Sequence, residues 1–480
     1  MVEALAAQNA RYEGSPARER NLALLAEGAE AVVTGQQVGL FLGPLFTTYK
    51  TATAIALARR LSKERGRPLV PVFWLQTEDH DLAEIATCRV APSRGVSLHL
   101  GLPASEERIS VAHRTLPEAV ETRLHEMHDA LSHLPFVEEH VGRLRRHYRP
   151  GARWGDAFAG VLAELFAEDG LVLLDPRDPA LAPLAAPVHR RAIERARSIA
   201  EALKEQSAAE TVHVREGSPL SFFHPDGPEA PRYRLTATDG GFAEVGGSRV
   251  HSEKEILEAL EDRPMCFSTS ALLRPILQDS WLATSAYVAG PAEARYFEQL
   301  PPVYEAFGLP MPRVVPRVHI RLLEPKTRRA LASLGLTAEQ ASDREDAVLA
   351  WVAARAGDVS AGEALGRRLL ATFLRDLDEM TPSLRGVGDG MDRSIEKTKR
   401  TVQDAVSRLT AQYAKMSSQR DQDRIEEVRR LVDWLFPDRQ PQERVYGISY
   451  FAAKHGERAF LERVLATAAH PADEPVDLEL

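Results

Sequence analysis

Short apolar runs that alternate with helical periodicity constrain this chain more than any other feature. Ala31–Thr34, Leu69–Leu75 (LVPVFWL), Gly170–Asp175 (GLVLLD), the PMCFSTS run around Cys266 and Thr284–Gly290 (TSAYVAG) each read as a strand. A helical pattern follows the first through Leu45, Thr48, Ala52, Ile55 and Ala58. Others cover Ala157–Ala167, Ala271–Asp279 and Ala292–Phe307. Strands alternating with helices predict an α/β fold with a parallel sheet covered by helices on both faces. At 480 residues the chain is too long for one ordinary core.

The alternation is interrupted twice and then ends. Residues 1–92 read as the first part of the core. Residues 93–155 hold a helical insertion rich in Glu, His and Arg, and 156–207 return to the core. Residues 208–262, with more Gly, Pro and short strands, read as a mixed α/β insertion, and 263–320 complete the core. From 321 to 436 long helices predominate. Met391, Ile395, Thr398, Val402, Ala405 and Leu409 repeat at four- and three-residue steps and continue at Met416, with Leu365, Leu369, Phe373, Leu377 and Met380 as the antiparallel partner. This predicts a projecting α-helical coiled-coil arm. Residues 437–480 then pack on the core.

Composition excludes several functional classes. A net charge of −9 argues against a dedicated nucleic-acid binder. Two cysteines, Cys88 and Cys266, make neither a disulfide framework nor a zinc set, so a reducing cytoplasm is the expected compartment. No apolar run approaches the ~20 residues that span a bilayer. The N-terminal residues lack a signal-peptide layout. No haem site is visible. Most histidines fall in polar helical stretches and are expected to be solvated.

Ligands of an open parallel sheet bind beyond the carboxyl ends of its strands, and five polar clusters fall there or nearby. The first is Thr34-Gly35-Gln36-Gln37 with Gly39, Gly43 and Lys50. Glycine lets backbone N–H groups approach an anion at a helix start, with Lys50 in reach of a phosphate or carboxylate; a tight strand–helix turn with a solvated lysine is the alternative. The pattern matches neither a Walker loop nor a dinucleotide fingerprint. The second is Glu78-Asp79-His80-Asp81, directly after a buried strand. It reads as a catalytic His80 with Asp79 to orient it, or as a helix cap. The third is Arg274 with Gln278, an arginine at a helix start that suits a carboxylate or a structural ion pair. The fourth, Tyr287, Gly290 and Glu293, suits hydroxyl or amine recognition or an ordinary cap. The fifth, Gln442, Glu443 and Arg444, either locks the last helices or lines a second small pocket.

Five stretches in this order, VVTGQQVGLFLGPLFTTYK, VPVFWLQTEDHDLAEI, LLRPILQDSWLATSAYVAGPAEARYF, PMPRVVPR and QERVYGISYFAAKHG, resemble the bacillithiol biosynthesis cysteine-adding enzyme family, BshC. The resemblance runs from about residue 30 to the C-terminus. It implies a Rossmann-like core with two connecting insertions and a coiled-coil arm that forms homodimers. It implies a ligase that joins cysteine through an amide to glucosaminyl malate, with ATP or another adenine nucleotide and Mg2+ as cofactors. His80, Asp79 and Lys50 would then be catalytic, and the Thr34–Lys50 stretch would cradle a phosphate or carboxylate. The family pattern Gly-Gly-Pro-Gly-Glu reads Ala289-Gly290-Pro291-Ala292-Glu293 here. The same core would also serve a nucleotidylyltransferase acting on another small carboxylate or sugar phosphate, or a non-catalytic nucleotide-binding dimer.

Overall fold

The computed structural model describes the backbone except at residues 94, 206–211, 356–359, 386–390 and 471–473. It describes the side chains except also at 350, 351, 353–355, 360–363, 365, 385, 411 and 413–421. The chain divides into one unit of Met1–Leu322 with Gln442–Leu478 and Leu480, and another of Leu323–Pro441 with Glu479.

Five strands build the parallel core sheet of the first unit: β1 (Glu30–Gln36), β2 (Leu69–Leu75), β3 (Val172–Leu174), β4 (Thr284–Ala289) and β5 (Arg313–Pro316), in the order β5-β4-β1-β2-β3. Every residue of β2 is buried, as its unbroken apolar run requires of an interior parallel strand. Pro71 is tolerated because β2 pairs with β3 only over Val72–Trp74. Four of these strands follow the apolar runs. β5 was not expected, because its two valines stand between Arg313 and Pro316 and make no run. Asn9 closes the outer edge of β3: its side chain donates to the Leu173 carbonyl at 2.8 Å and accepts from the Leu173 N–H at 3.0 Å, as a sixth strand would.

Helix α1 (Leu45–Arg65) joins β1 to β2. Its alanines and threonines let it lie close between the sheet and the helix Glu457–Ala468. It ends at Gly66 in the left-handed conformation (φ 64°), after Lys63 and Arg65 in the last turn. The expected helix over Ala292–Phe307 is two, Pro291–Phe297 and Pro301–Phe307, because Pro301 starts a new one.

Both insertions start or end away from the expected positions. The first begins with an antiparallel hairpin, Thr87–Ser93 and Val96–Gly101, ahead of residue 93. It continues through the helices Ala119–Leu131 and Val137–His147. The expected boundary at 156 falls inside α2 (Trp154–Leu165). The second insertion is a five-stranded antiparallel sheet that runs past 262 to Thr269. The run around Cys266 is therefore not a core strand. Phe267–Thr269 pairs antiparallel with Ser221–Phe223, and Cys266 and Phe267 pack with Phe223, Leu235 and Phe242 in a small separate core. Three residues give too short a period to tell one sheet from the other.

Histidines also depart from expectation: His140, His189 and His224 are buried. His140 bonds Glu457 at 2.7 Å, His189 the Ser221 hydroxyl at 2.8 Å, and His224 the Ala230 carbonyl at 3.0 Å.

The second unit contains the expected long helices, α5 (Ser360–Arg385) and α6 (Met391–Leu435), numbered after α3 (Arg274–Trp281) and α4 (Pro291–Phe297). They run antiparallel, since Lys399 meets Asp378 at 3.0 Å while Gly366 lies against Val406 and Thr410. The inward face differs from the heptad reading. Ile395, Val402 and Val406 turn inward, whereas Thr398, Ala405, Leu409, Leu369 and Met380 are exposed. A helix of 3.6 residues per turn drifts off a 3.5-residue repeat. Met416, Leu365 and the link at 386–390 lie outside the described residues.

A Cβ placed at Gly35 would sit 2.9 Å from the Trp74 carbonyl oxygen, while one at Gly14 meets nothing within 4 Å. Gly35→Ala is expected to cost about 1–3 kcal/mol, read as a lower urea midpoint, with Gly14→Ala as the neutral control. An unchanged midpoint for Gly35→Ala would contradict the close packing of β1 on β2.

Candidate functional site

Strand order reverses between β1 and β4: β2 and β3 follow on one side of β1, β4 and β5 on the other. A cleft of about 300 Å³ opens at the carboxyl ends of these strands, the place where an open α/β sheet binds its ligands. It is lined by Gly35, Gln36, Gln37, Lys50, Asp79, Arg274, Tyr287, Gly290, Glu293, Arg317 and Arg444, among others.

Lys50 sits at its floor. The side chain is only 1% exposed, and its ammonium donates to the Gly35 carbonyl, to Gln36 Oε1 at 3.1 Å and to Glu293 Oε2 at 2.5 Å. An ammonium has three donors, and all are engaged. Lys50 therefore does not reach outward to an oxyanion; it ties the end of β1 to α4. Burial pulls its pKa below the usual value, opposed by the Glu293 charge. Burial alone would push Glu293 up, but Lys50 and the Gly290 N–H, which donates to it at 2.8 Å, outweigh this and hold the carboxyl low. Tyr287 donates to the other Glu293 oxygen at 2.8 Å.

The glycine loop corrects the cradle expectation. Val38, Leu40, Phe41 and Leu42 are buried. Trp154 Nε1 donates to the Val38 carbonyl at 2.6 Å, and the Tyr148 hydroxyl meets the Gly39 carbonyl at 3.3 Å. Leu45, at the start of α1, gives its N–H to the Tyr446 carbonyl at 2.7 Å. Gly39 and Gly43 serve packing: a Cβ on Gly39 would come within 2.9 Å of Gly43 Cα, and Gly43 holds φ +63°. Thr34 is likewise interior, its hydroxyl bonded to the Val288 carbonyl at 2.9 Å.

The Glu78–Asp81 cluster separates into four roles. Glu78 is buried and accepts from the Thr269 N–H at 3.0 Å and from its hydroxyl, which anchors the second insertion. Asp81 caps the short helix Leu82–Ile85 by accepting from the Glu84 N–H at 3.2 Å. Asp79 alone lines the cleft, accepting from Gln37 Nε2 at 3.0 Å, Arg232 Nη2 at 3.0 Å and the His80 N–H at 2.7 Å. Burial raises its pKa, but Arg232 and Gln37 hold it below the usual range. His80 lies in a neighbouring cavity. Its Nδ1 accepts from Arg232 Nε at 3.0 Å and Nη2 at 2.8 Å. With that nitrogen accepting from a cation, the remaining proton is on Nε2. Burial first and Arg232 second bring its pKa down to about 4. His80 is thus not poised as a general base.

Arg274 is buried over the Tyr287 ring at 4.8 Å and held by Gln278 Oε1 at 2.8 Å and the Tyr296 hydroxyl at 3.3 Å. Gln278 supports it from the interior rather than facing the cleft. Gln442 and Glu443 are structural. Gln442 accepts from the Leu322 N–H at 2.9 Å, and Glu443 from Arg317 at 2.6 Å and His319 at 2.9 Å. Arg444 lines this same cleft rather than a second pocket, and it has no ion-pair or hydrogen-bond partner among the described residues. Sequence reasoning missed Arg317, although it closes the PMPRVVPR stretch, and Arg232, which no local pattern marks. Among the described residues, no group of three or more His, Cys, Asp or Glu side chains is placed to hold a metal ion. Among the described residues, no helix is long and apolar enough to cross a membrane.

Comparison with known proteins agrees with this architecture. Residues 1–318 match the family model for the N-terminal Rossmann-like domain of bacillithiol biosynthesis BshC, and residues 320–472 match that for its C-terminal coiled-coil domain. Curated relatives named "Putative cysteine ligase BshC" include one from Koribacter versatilis, 34% identical over 95% of this chain and 85% of the relative. Another, from Salinibacter ruber, is 33% identical over 88% of this chain and 78% of the relative.

Removing one partner of a buried pair strands the other charge, at about 3–5 kcal/mol. Glu293 keeps 22% exposure, which places Lys50→Met and Glu293→Gln near the lower end. In a double-mutant cycle by urea unfolding, the pair should lose clearly less than the sum of the singles; additivity would contradict the coupling. His80 should stay neutral to about pH 4 by NMR titration, set by burial, Arg232, Asp79, Arg108 and Asp81. The unfolded chain protonates this histidine near 6.5, so its stabilising contribution is complete above that pH and declines as pH falls toward 4. A midpoint at or above 6 would contradict the Arg232 contact.

Proposed function

The chain belongs to the BshC family of bacillithiol biosynthesis, and from that premise we propose that it is a cysteine ligase. It joins L-cysteine to glucosaminyl malate through an amide in an ATP-dependent reaction in the cytoplasm. The observation that carries this reading is the meeting of an ionised carboxylate, Asp79, with the unpartnered guanidinium of Arg444 in one cleft at the strand-order reversal. Amide formation needs an anionic acyl substrate and a nucleophilic amine side by side.

A free carboxylate is a poor electrophile, and ATP with Mg2+ supplies the leaving group when bound. Arg444 is the cation available for a carboxylate or phosphate oxygen, and Arg274 and Arg317 add fixed positive charge behind it. Asp79 accepts a hydrogen bond from the attacking amine, orients it and takes the proton the amine gives up as the C–N bond forms. Lys50 acts indirectly, by holding Gln36 and Glu293 at the rim. Both cysteines are free and buried, which suits a reducing compartment. Leu369, Met380 and Leu409 are exposed on the helical arm, and we propose that the arm forms a homodimer.

Incubation with cysteine, glucosaminyl malate and ATP should give the condensed thiol by mass spectrometry. Asp79→Asn should lower kcat/KM by about 10²-fold, and Arg444→Gln should raise the KM of the anionic substrate. No product from the wild type, or full activity in Asp79→Asn, would contradict the reading.

A further inference from the structure

Beside the cleft lies a second cavity of about 200 Å³, lined by His80, Arg215, Ser218, Arg232 and Arg234, among others. The two cavities share Gln76, Asp79 and Ala271, so they meet at the end of β2. Its charge is one-sided. Arg232 is buried and engaged with Asp79, His80 and the Phe222 ring, whose centroid is 4.0 Å from the guanidinium carbon. Arg234 contacts the same ring at 5.5 Å. Neither Arg234 nor Arg215 has a carboxylate partner among the described residues. His80, with Nδ1 occupied by Arg232, offers Nε2–H as a neutral donor, so the walls present donors and positive charge with Asp79 only at the junction.

We propose that this second cavity is a binding annex for the acidic arm of the amine substrate, a small dicarboxylate. The inference rests on the ligase reading above and assigns each half of the reaction a place. An amine held at Asp79 faces the cleft, while the carboxylates attached to it extend between Arg215 and Arg234, where planar guanidinium forks match them. His80 is then a binding donor, and Arg232 a positioning residue that fixes its tautomer.

The test is isothermal titration of the full chain with L-malate and, separately, with inorganic tripolyphosphate, in the wild type and in R215Q/R234Q. Both substitutions are at exposed positions, and circular dichroism checks the fold. The annex predicts L-malate binding that weakens at least tenfold in the double variant, with tripolyphosphate binding unchanged. His80→Gln, which keeps a donor, should weaken L-malate less than His80→Ala. The proposal is overturned if the wild type does not bind L-malate, if R215Q/R234Q binds it equally well, or if the variant loses tripolyphosphate instead, which would mark a phosphate site. Loss of malate binding in a protein that makes no condensed product would uphold the annex and remove the ligase reading. Product formation with malate binding unchanged would remove the annex alone.

Discussion

The buried contact between Lys50 and Glu293 organises the first unit. One ammonium joins the carboxyl end of β1, through Gly35 and Gln36, to the helix that follows β4. These strands are adjacent in the sheet although about 250 residues apart in the chain, and between them the strand order reverses. A parallel sheet splays open at such a point. A charged pair across the opening sets its width, and it keeps Tyr287 and the Gly290 N–H directed at one carboxylate. It is also why Lys50 is unsuited to direct ligand contact: moving it to a ligand would leave Glu293 without its cation.

The alternation of apolar runs and helical periodicity made the α/β class legible, because a buried parallel strand such as LVPVFWL has few other stable uses. The arm was legible for a similar reason, as periodicity over many turns accumulates. Failures came where a signal was short or its meaning depended on distant residues. Phe267–Thr269 has three residues and belongs to the antiparallel sheet of the insertion, not to the core sheet expected of it. The valines of β5 are too few to register. The inward face of α6 runs through Ile395, Val402 and Val406 and leaves out Thr398, Ala405 and Leu409, a choice between neighbouring helix faces that packing against α5 makes and the spacing alone does not.

The candidate site was legible in position and less so in role. Gly35, Gln36, Gln37, Asp79, Arg274, Glu293 and Arg444 do gather in one cleft. Gly39 and Gly43 looked like an anion cradle because the physics of close approach is the same for a ligand and for packed backbone. Only Tyr148, Trp154 and Tyr446, all distant in sequence, decide that packing is the use. His80 looked like a base because a histidine beside carboxylates usually gains a proton more easily. Arg232, about 150 residues later, reverses that by donating to its Nδ1. Charge and tautomer are properties of the folded neighbourhood, and a linear pattern carries them only when the neighbours are local.

The central claim is that ligand chemistry takes place above the Lys50–Glu293 pair, between Asp79 and Arg444, and not in the glycine loop below it. A crystal structure of the protein with cysteine and a non-hydrolysable ATP analogue tests this most directly. The expected result is ligand density in the cleft at the ends of β1 and β4, in contact with Arg444 and near Asp79, with Lys50 still bonded to Glu293. Density on the backbone of Gly39–Gly43, or on a Lys50 ammonium released from Glu293, would contradict it.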